Sequence, residues 1–136
     1  MEPNYWVAHL LLGRIALARG QVAEAIEPIR KATALSKGAI EPTTQLGYAL
    51  ARSGEEEEAL LLMRGLEERS ASTPVPAYSF AMIHNGRRDR EAALRFLEQS
   101  VEAREVQATF IKIDTRWNWL RPDPRFQSLL QRLQLK

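Results

Sequence analysis

The pattern of apolar and small residues repeats along the chain at a fixed interval of 34 residues. Within each interval, apolar residues recur at three-to-four spacing, which is the period of an amphipathic α-helix. Ala25, Ala59 and Ala93 mark the same position of successive intervals. Other positions recur in step with them: Gly13, Gly47 and Ala81 upstream, Ile26, Leu60 and Leu94 directly after, and Ile29, Met63 and Leu97 four residues on. The pattern predicts three similar helical units.

Turn residues divide each unit into a pair of helices. Gly20 and Gly54 end the first helix in two of the units, and Arg88 stands at the same position in the third. Because glycine favours the turn at a helix end, we expect Gly86 to form the third turn instead. The predicted helices span 5–19, 22–35, the region from Pro42 to 53–54, then 55–69, 77–85 and 89–104.

Prolines mark the predicted irregular places. Pro28 lies inside the second predicted helix, where proline removes a backbone hydrogen bond and clashes one turn back. We therefore expect a bend near Glu24 or a helix that starts late. Pro42 stands in a first turn, where proline is well tolerated. The stretch 70–76 contains two prolines and three hydroxyl residues, and this composition predicts a loop.

The 34-residue period is lost after residue 104, although the sequence remains compatible with helices. Such stretches cover 106–113 and 117–120, and a last helix is predicted to begin with Asp123 as its N-cap and Pro124 in its first turn. Terminal units of stacked repeats are atypical because one face meets water. This region is therefore predicted to cover the third unit, with these residues of the last helix facing inward: Phe126, Leu129, Leu130 and Leu133.

The recurrence resembles that of tetratricopeptide repeats, which are helix-turn-helix units of 34 residues. The part of the chain from Ala81 to Leu133 is similar to the end of the tetratricopeptide region found in bacterial regulators such as winged-helix transcription factors, nucleotide cyclases and serine/threonine kinases. The matching residues are Asp114, Trp117, Leu120, Arg121, Asp123, Pro124, Arg125, Phe126, Leu129 and Leu130. The resemblance implies one domain, an all-α right-handed superhelical solenoid with repeats at 6–39, 40–73 and 74–107 and a C-terminal cap at 108–136. Pro3 lies where a preceding unit would end, so we expect a part of a longer protein.

The resemblance also implies that the first helix of each pair lines a concave groove that binds a peptide or a helix. Arg14 and Arg52 in this groove favour a partner with an acidic residue. An alternative interpretation places Leu10, Leu17 and Met82 in the core. The candidate partner-binding residues are Leu10, Arg14, Leu17, Gln45, Tyr48, Arg52, Tyr78 and Met82.

Composition fits an ordinary soluble domain of the cytoplasm, and the charge distribution disfavours a nucleic-acid adaptor. The 136 residues include no cysteine and no long apolar run. The first 70 residues carry 8 Lys and Arg against 10 Asp and Glu, and the remainder carries 11 against 7. The densest basic cluster, at 87–90, is interpreted as a solvated turn, so a nucleic-acid adaptor is the weakest alternative.

No catalytic, metal-binding or cofactor-binding motif is recognisable in the sequence. His9 and His84 lie on apolar helix faces and are interpreted as packed histidines. The expected function is a non-catalytic scaffold or regulatory module for a protein or peptide partner, including an effector domain of the same protein. The second alternative is self-association as a homodimer through the N-terminal face, where Tyr5, Trp6 and Leu10 are expected to be exposed.

Overall fold

The computed structural model describes residues 5–134, and every regular element among them is a helix. The predicted all-α class is confirmed for these residues, whereas Pro3 lies outside them. The elements are α1 Tyr5–Ala18, α2 Val22–Leu35, α3 Ile40–Arg52, α4 Glu56–Arg69, α5 Ala77–Arg87, α6 Arg90–Glu102, the 3-10 helices η1 Val106–Lys112 and η2 Thr115–Leu120, and α7 Pro124–Gln134.

Consecutive α-helices pack as pairs, α1 with α2, α3 with α4 and α5 with α6, joined by short turns. Gly20 and Gly54 adopt φ values of +74° and +90° in the first two turns, a conformation that glycine tolerates at no steric cost. In the third turn Arg88 itself adopts φ +59°. The prediction that Gly86 forms this turn is wrong, because Gly86 lies within α5.

Gly86 permits a close approach between α5 and α3. A Cβ atom at this position would lie 2.6 Å from the carbonyl oxygen of Tyr48 and 3.1 Å from the Cβ of Ala51. A backbone oxygen cannot move aside as a flexible side chain would. The small residue is therefore required by helix packing rather than by a turn.

Pro28 lies inside α2 and does not delay the start of the helix. The helix begins at Val22, so the predicted late start is wrong, while the bend near Glu24 stays a prediction. Pro28 is only partly buried, whereas Ala25 and Ile29 of the same helix are fully buried. The inward face of α2 thus keeps its packing on both sides of the proline.

The recurring alanines lie in the core. Ala25, Ala59 and Ala93 each have 0% of their surface exposed. A methyl side chain at such a position lets the two helices of a pair come together closely, and the dense packing of protein interiors leaves no room for a larger one.

Replacement of Ala59 by leucine is expected to lower the free energy of unfolding by roughly 1–3 kcal/mol, because the added atoms overpack a filled site. Urea denaturation of Ala59→Leu and of wild type measures this difference. Ala23→Leu is the matched control, since Ala23 is exposed on α2. Equal stability of Ala59→Leu and wild type would show that the alanine is not at a close helix crossing.

The three helix pairs do not contact one another in the same way. The first pair meets the second mainly through α2 against α3, whereas the second pair meets the third mainly through α3 against α5. α4 contacts α5 much less. The right-handed superhelix that the resemblance implies therefore stays a prediction.

The C-terminal region packs onto the helix pairs, and α7 lies against α6. Asp123 begins α7 as predicted, because its Oδ1 accepts a hydrogen bond of 2.8 Å from the backbone N–H of Arg125. Of the residues predicted to face inward, Phe126 and Leu129 are buried, while Leu130 and Leu133 are partly buried. The helix-compatible stretches before α7 form the 3-10 helices η1 and η2.

Candidate peptide-binding furrow

Six of the eight predicted partner-binding residues are buried by this chain itself. Exposed surface is 8% or less for each of Leu10, Leu17, Gln45, Tyr48, Tyr78 and Met82. Arg14 is exposed and Arg52 is partly exposed. The eight residues therefore do not form one open wall. Leu10, Gln45 and Met82 do not line the clefts described below, whereas Leu17, Tyr48 and Tyr78 line them with a small exposed fraction, beside the two more exposed arginines. The alternative placement of Leu10, Leu17 and Met82 in the core is confirmed.

The residues 105–121, here called the C-terminal segment, cover the predicted wall. Arg116 donates a hydrogen bond of 2.6 Å from Nη1 to Oε1 of Gln45, and its guanidinium lies 5.1 Å from the ring centre of Tyr48. Trp117 donates from Nε1 to Oη of Tyr78 over 3.0 Å. These contacts hold η2 across α3 and α5, where a partner was expected.

Arg116 is held in place by Asp114. The carboxylate of Asp114 accepts hydrogen bonds from Nε of Arg116 at 3.1 Å and from Nη2 at 2.7 Å, and Asp114 also caps η2. Burial lowers the pKa of Arg116, but the hydrogen bonds and charge of Asp114 outweigh it and raise the pKa. Burial also raises the pKa of Tyr78 to about 12. Both side chains therefore keep a single protonation state at neutral pH.

The start of the C-terminal segment caps α5. Glu105 accepts hydrogen bonds from the backbone N–H groups of Ala77, at 2.8 Å, and Tyr78, at 3.0 Å. The hydroxyl of Ser100 donates to the same carboxylate over 2.6 Å. A carboxylate at a helix N-terminus is favoured by the helix dipole. The segment is thus anchored at Glu105 as well as at Arg116 and Trp117.

Three adjoining clefts lie along the side of the C-terminal segment that faces α1, α3 and α5, while a fourth, of about 250 Å³, lies between the segment, α6 and α7. The first cleft, of about 420 Å³, separates the segment from α1 and is lined by Arg14, Leu17, Ala18, Phe110, Ile113, Asp114, Thr115 and Arg116. The second, of about 500 Å³, is lined by Ile40, Glu41, Thr44, Pro74, Pro76, Tyr78, Ser79, Val106, Gln107 and Phe110. The third, of about 340 Å³, is lined by Leu17, Ala18, Gly20, Val22, Tyr48, Arg52, Arg88, Thr115, Arg116, Asn118 and Trp119.

The three clefts form one furrow because neighbouring clefts share lining residues. Phe110 lines both the first and the second cleft. Leu17, Ala18, Thr115 and Arg116 line both the first and the third. The furrow is therefore bordered on one side by residues of all three helix pairs and of the loop 74–76, and on the other by the C-terminal segment.

The middle of the furrow is apolar, and its apolar side chains are accessible. Phe110 is 51% exposed and Ile113 is 79% exposed. Their segment is nevertheless fixed, because Arg121 donates hydrogen bonds to the carbonyl oxygens of Ile111 at 2.9 Å and Asp114 at 2.8 Å. Exposed apolar side chains on a fixed backbone are typical of binding surfaces.

Charged groups lie at defined places along the furrow. Arg14 forms an ion pair with Glu41, which joins the first cleft to the second. Burial, and secondly the charge of Arg116, lowers the pKa of Arg14. At the opposite end, Arg52 and Arg88 line the third cleft. The furrow is thus balanced in charge at one end and positive at the other.

Sequence reasoning missed the residues that the C-terminal segment contributes to the furrow. Phe110 and Ile113 belong to the stretch that was predicted only to cap the third unit, and Arg88 was assigned to a solvated turn. Both arginines beside Arg88 in the sequence form ion pairs: Arg87 with Asp89 and Glu56, and Arg90 with Asp123. The turn between α5 and α6 lies within 87–90 as interpreted, and Arg88 and Arg90 are exposed, but Arg87 is partly buried and the charges of Arg87 and Arg90 are paired.

The two histidines differ in their surroundings. His84 is buried and stacks on Phe96, with 5.5 Å between ring centres, as expected for a packed histidine. Burial, and secondly the charge of Arg87, lowers the pKa of His84. His9 is partly buried and its ring packs edge-to-face on Tyr5, with 4.8 Å between ring centres, so it is packed but lies outside the buried core.

No protein-family model, curated protein or solved structure matches the chain. Within residues 5–134, no helix combines the length and the apolar character needed to cross a membrane.

Proposed function

We propose that the protein is a non-catalytic interaction module that binds a peptide in the furrow between α1 and the C-terminal segment. The observation that carries this proposal is the row of three adjoining clefts, with the exposed Phe110 where the first and the second cleft meet. Apolar clefts with a few charged groups at their ends suit a peptide with apolar side chains and an acidic group.

The 34-residue recurrence supports a tetratricopeptide array as the scaffold of this module, and its resemblance to bacterial regulators supports a cytoplasmic regulatory role. The binding site differs from the one that the resemblance implies. The helices supply one wall, through Arg14 and Ala18, and the C-terminal segment supplies the other, through Phe110 and Ile113. The C-terminal segment would thus form part of the binding site as well as part of the core.

Self-association through α1 is the second candidate function. Tyr5, Leu12 and Ile15 of this helix are 50%, 56% and 42% exposed, which leaves apolar surface for a second copy. Leu10 does not take part, because it is 4% exposed, and Trp6 is partly buried. The predicted exposure of Leu10 on the N-terminal face is therefore wrong.

A selection of random displayed peptides on the immobilised protein tests the proposed function. Phe110→Asp is expected to weaken binding of the selected peptides roughly 10- to 150-fold, because burying a phenylalanine side chain contributes about 1.5–3 kcal/mol. The matched control is Leu61→Asp, which changes an equally apolar side chain, 61% exposed, on α4.

Peptides that bind Phe110→Asp and wild type equally would place the binding surface elsewhere. If Leu61→Asp weakened peptide binding as strongly as Phe110→Asp, the binding surface would also lie elsewhere. Light scattering distinguishes peptide binding from self-association. A dimer that Leu12→Asp converts to a monomer, together with absence of peptide binding, would favour self-association through α1.

A further inference from the structure

Three arginines from separate parts of the chain line the third cleft. Arg52 ends α3, Arg88 forms the turn before α6, and Arg116 belongs to η2. Of the three, Arg116 has a carboxylate partner within the described residues, Asp114. Within residues 5–134, no carboxylate forms an ion pair with Arg52 or Arg88. The cleft therefore carries two positive charges that the described part of the chain does not balance.

Both unbalanced guanidinium groups are held in position. Nη1 of Arg88 donates to the carbonyl oxygen and to Oδ1 of Asn85, each over 3.0 Å, and the group lies 4.9 Å from the ring centre of Trp119. Trp119 in turn donates from Nε1 to the same Oδ1 over 2.7 Å. Nη1 of Arg52 donates to the carbonyl oxygen of Gly86 over 3.3 Å.

These contacts leave hydrogen-bonding capacity for a ligand. Arginine has five N–H donors, and the hydrogen bonds from Arg52 to Gly86 and from Arg88 to Asn85 use Nη1 alone, while the side chain of Tyr48 also interacts with Arg88. The remaining N–H groups, on Nε and Nη2, can donate to an oxyanion in the paired geometry for which a guanidinium is suited.

Keeping Arg88 at this position has an energetic cost. The two preceding units place glycine at the equivalent turn, whereas Arg88 adopts the left-handed φ of +59° that disfavours a side chain. Burial, and secondly the charge of Arg52, lowers the pKa of Arg88. Lys37 and Arg104 adopt a similar left-handed φ, so the feature that distinguishes Arg88 is the like charge of Arg52 beside it, an arrangement common at functional sites.

We propose that the third cleft binds the phosphoryl group of a phosphorylated side chain, carried by the peptide that occupies the furrow. This inference rests on the proposed function. A phosphorylated serine, threonine or tyrosine carries a charge of about −1.5 to −2 at neutral pH, which matches the two unbalanced arginines, whereas a single carboxylate matches only one of them.

The test is a titration of the whole protein with inorganic phosphate at constant ionic strength, followed by ¹H–¹⁵N spectra. The indole N–H of Trp119 and the side-chain N–H groups of Arg52 and Arg88 are expected to shift together and to saturate. Arg88→Gly is expected to weaken the apparent affinity by about tenfold or more, because it removes a charge-assisted donor. The same variant relieves the strained φ, so its melting temperature should not fall.

Arg104→Gly is the matched control. Arg104 has the same φ of +59° but lies outside the third cleft, so its replacement changes the backbone in the same way and should leave phosphate affinity within about twofold of wild type. Arg52→Gln is the second variant and should weaken phosphate binding as Arg88→Gly does. Equal affinity of wild type and both cleft variants, or an equal loss in Arg104→Gly, would overturn the proposal.

Acetate, titrated in the same way, separates a phosphoryl site from a carboxylate site. Acetate is expected to bind at least about tenfold more weakly than phosphate, since it presents one negative charge. Equal affinities would overturn the assignment to a phosphoryl group. Absence of saturable phosphate binding, with peptide binding still sensitive to Phe110→Asp, would refute this inference alone. Saturable phosphate binding with no peptide bound would refute the proposed function, and the assignment to a phosphorylated peptide with it.

Discussion

Removal of residues 122–136 is expected to leave a protein that aggregates or melts near room temperature. The deletion takes away Phe126 and Leu129, which are 0% and 1% exposed, and uncovers the surface of α6 against which α7 packs. Loss of one buried phenylalanine side chain alone costs about 3–5 kcal/mol. That is a large share of the 5–15 kcal/mol that typically stabilises a domain of this size.

Thermal unfolding followed by circular dichroism measures this effect. The matched control removes only residues 134–136, beginning with Gln134, which is exposed on α7, and should melt close to wild type. A soluble 122–136 deletion with an unchanged melting temperature would mean that α7 is not part of the core.

Replacement of Trp117 by alanine is expected to lower the free energy of unfolding by about 3–5 kcal/mol. Trp117 is 0% exposed, its ring centre lies 6.1 Å from that of Tyr78 and 6.2 Å from that of Phe126, and its indole N–H donates to Tyr78. The substitution leaves a cavity where the C-terminal segment, α5 and α7 meet.

Urea denaturation of Trp117→Ala, Trp117→Phe and wild type checks this prediction. Trp117→Phe keeps an aromatic ring and removes the indole N–H, so it should cost less than Trp117→Ala, with the lost hydrogen bond contributing about 0.5–1.5 kcal/mol. A decrease of less than about 1 kcal/mol in the free energy of unfolding for Trp117→Ala would contradict the packing of the C-terminal segment on α5. Removal of a fully buried tryptophan side chain destabilises a protein by more than that.

The helices and their buried faces were predictable because the signals for them are local. The 34-residue recurrence of Ala25, Ala59 and Ala93 located three positions that are fully buried. Apolar spacing and turn residues placed most helix ends within two residues, with α2 starting at Val22 as the pattern indicates. In the third unit the turn was predicted at Gly86 by analogy with Gly20 and Gly54. Gly86 instead allows α5 to pack closely on α3, and Arg88 adopts the left-handed φ of the turn.

The furrow was not predictable because distant parts of the chain create it. The hydrogen bond between Arg116 and Gln45 joins residues 71 positions apart, and that between Trp117 and Tyr78 joins residues 39 positions apart. No repeated pattern in the sequence indicates either contact. The repeat pattern indicated which faces of α3 and α5 meet a partner surface, but it gave no sign that the C-terminal segment is that surface.

The most direct test of the binding site is a backbone chemical-shift map of the protein saturated with a selected peptide. We expect the largest changes to cluster along the furrow, in Arg14–Ala18 of α1 and Phe110–Thr115 of the C-terminal segment. Changes confined to the exposed faces of α2 and α4, with these two stretches unaffected, would contradict the proposed binding site.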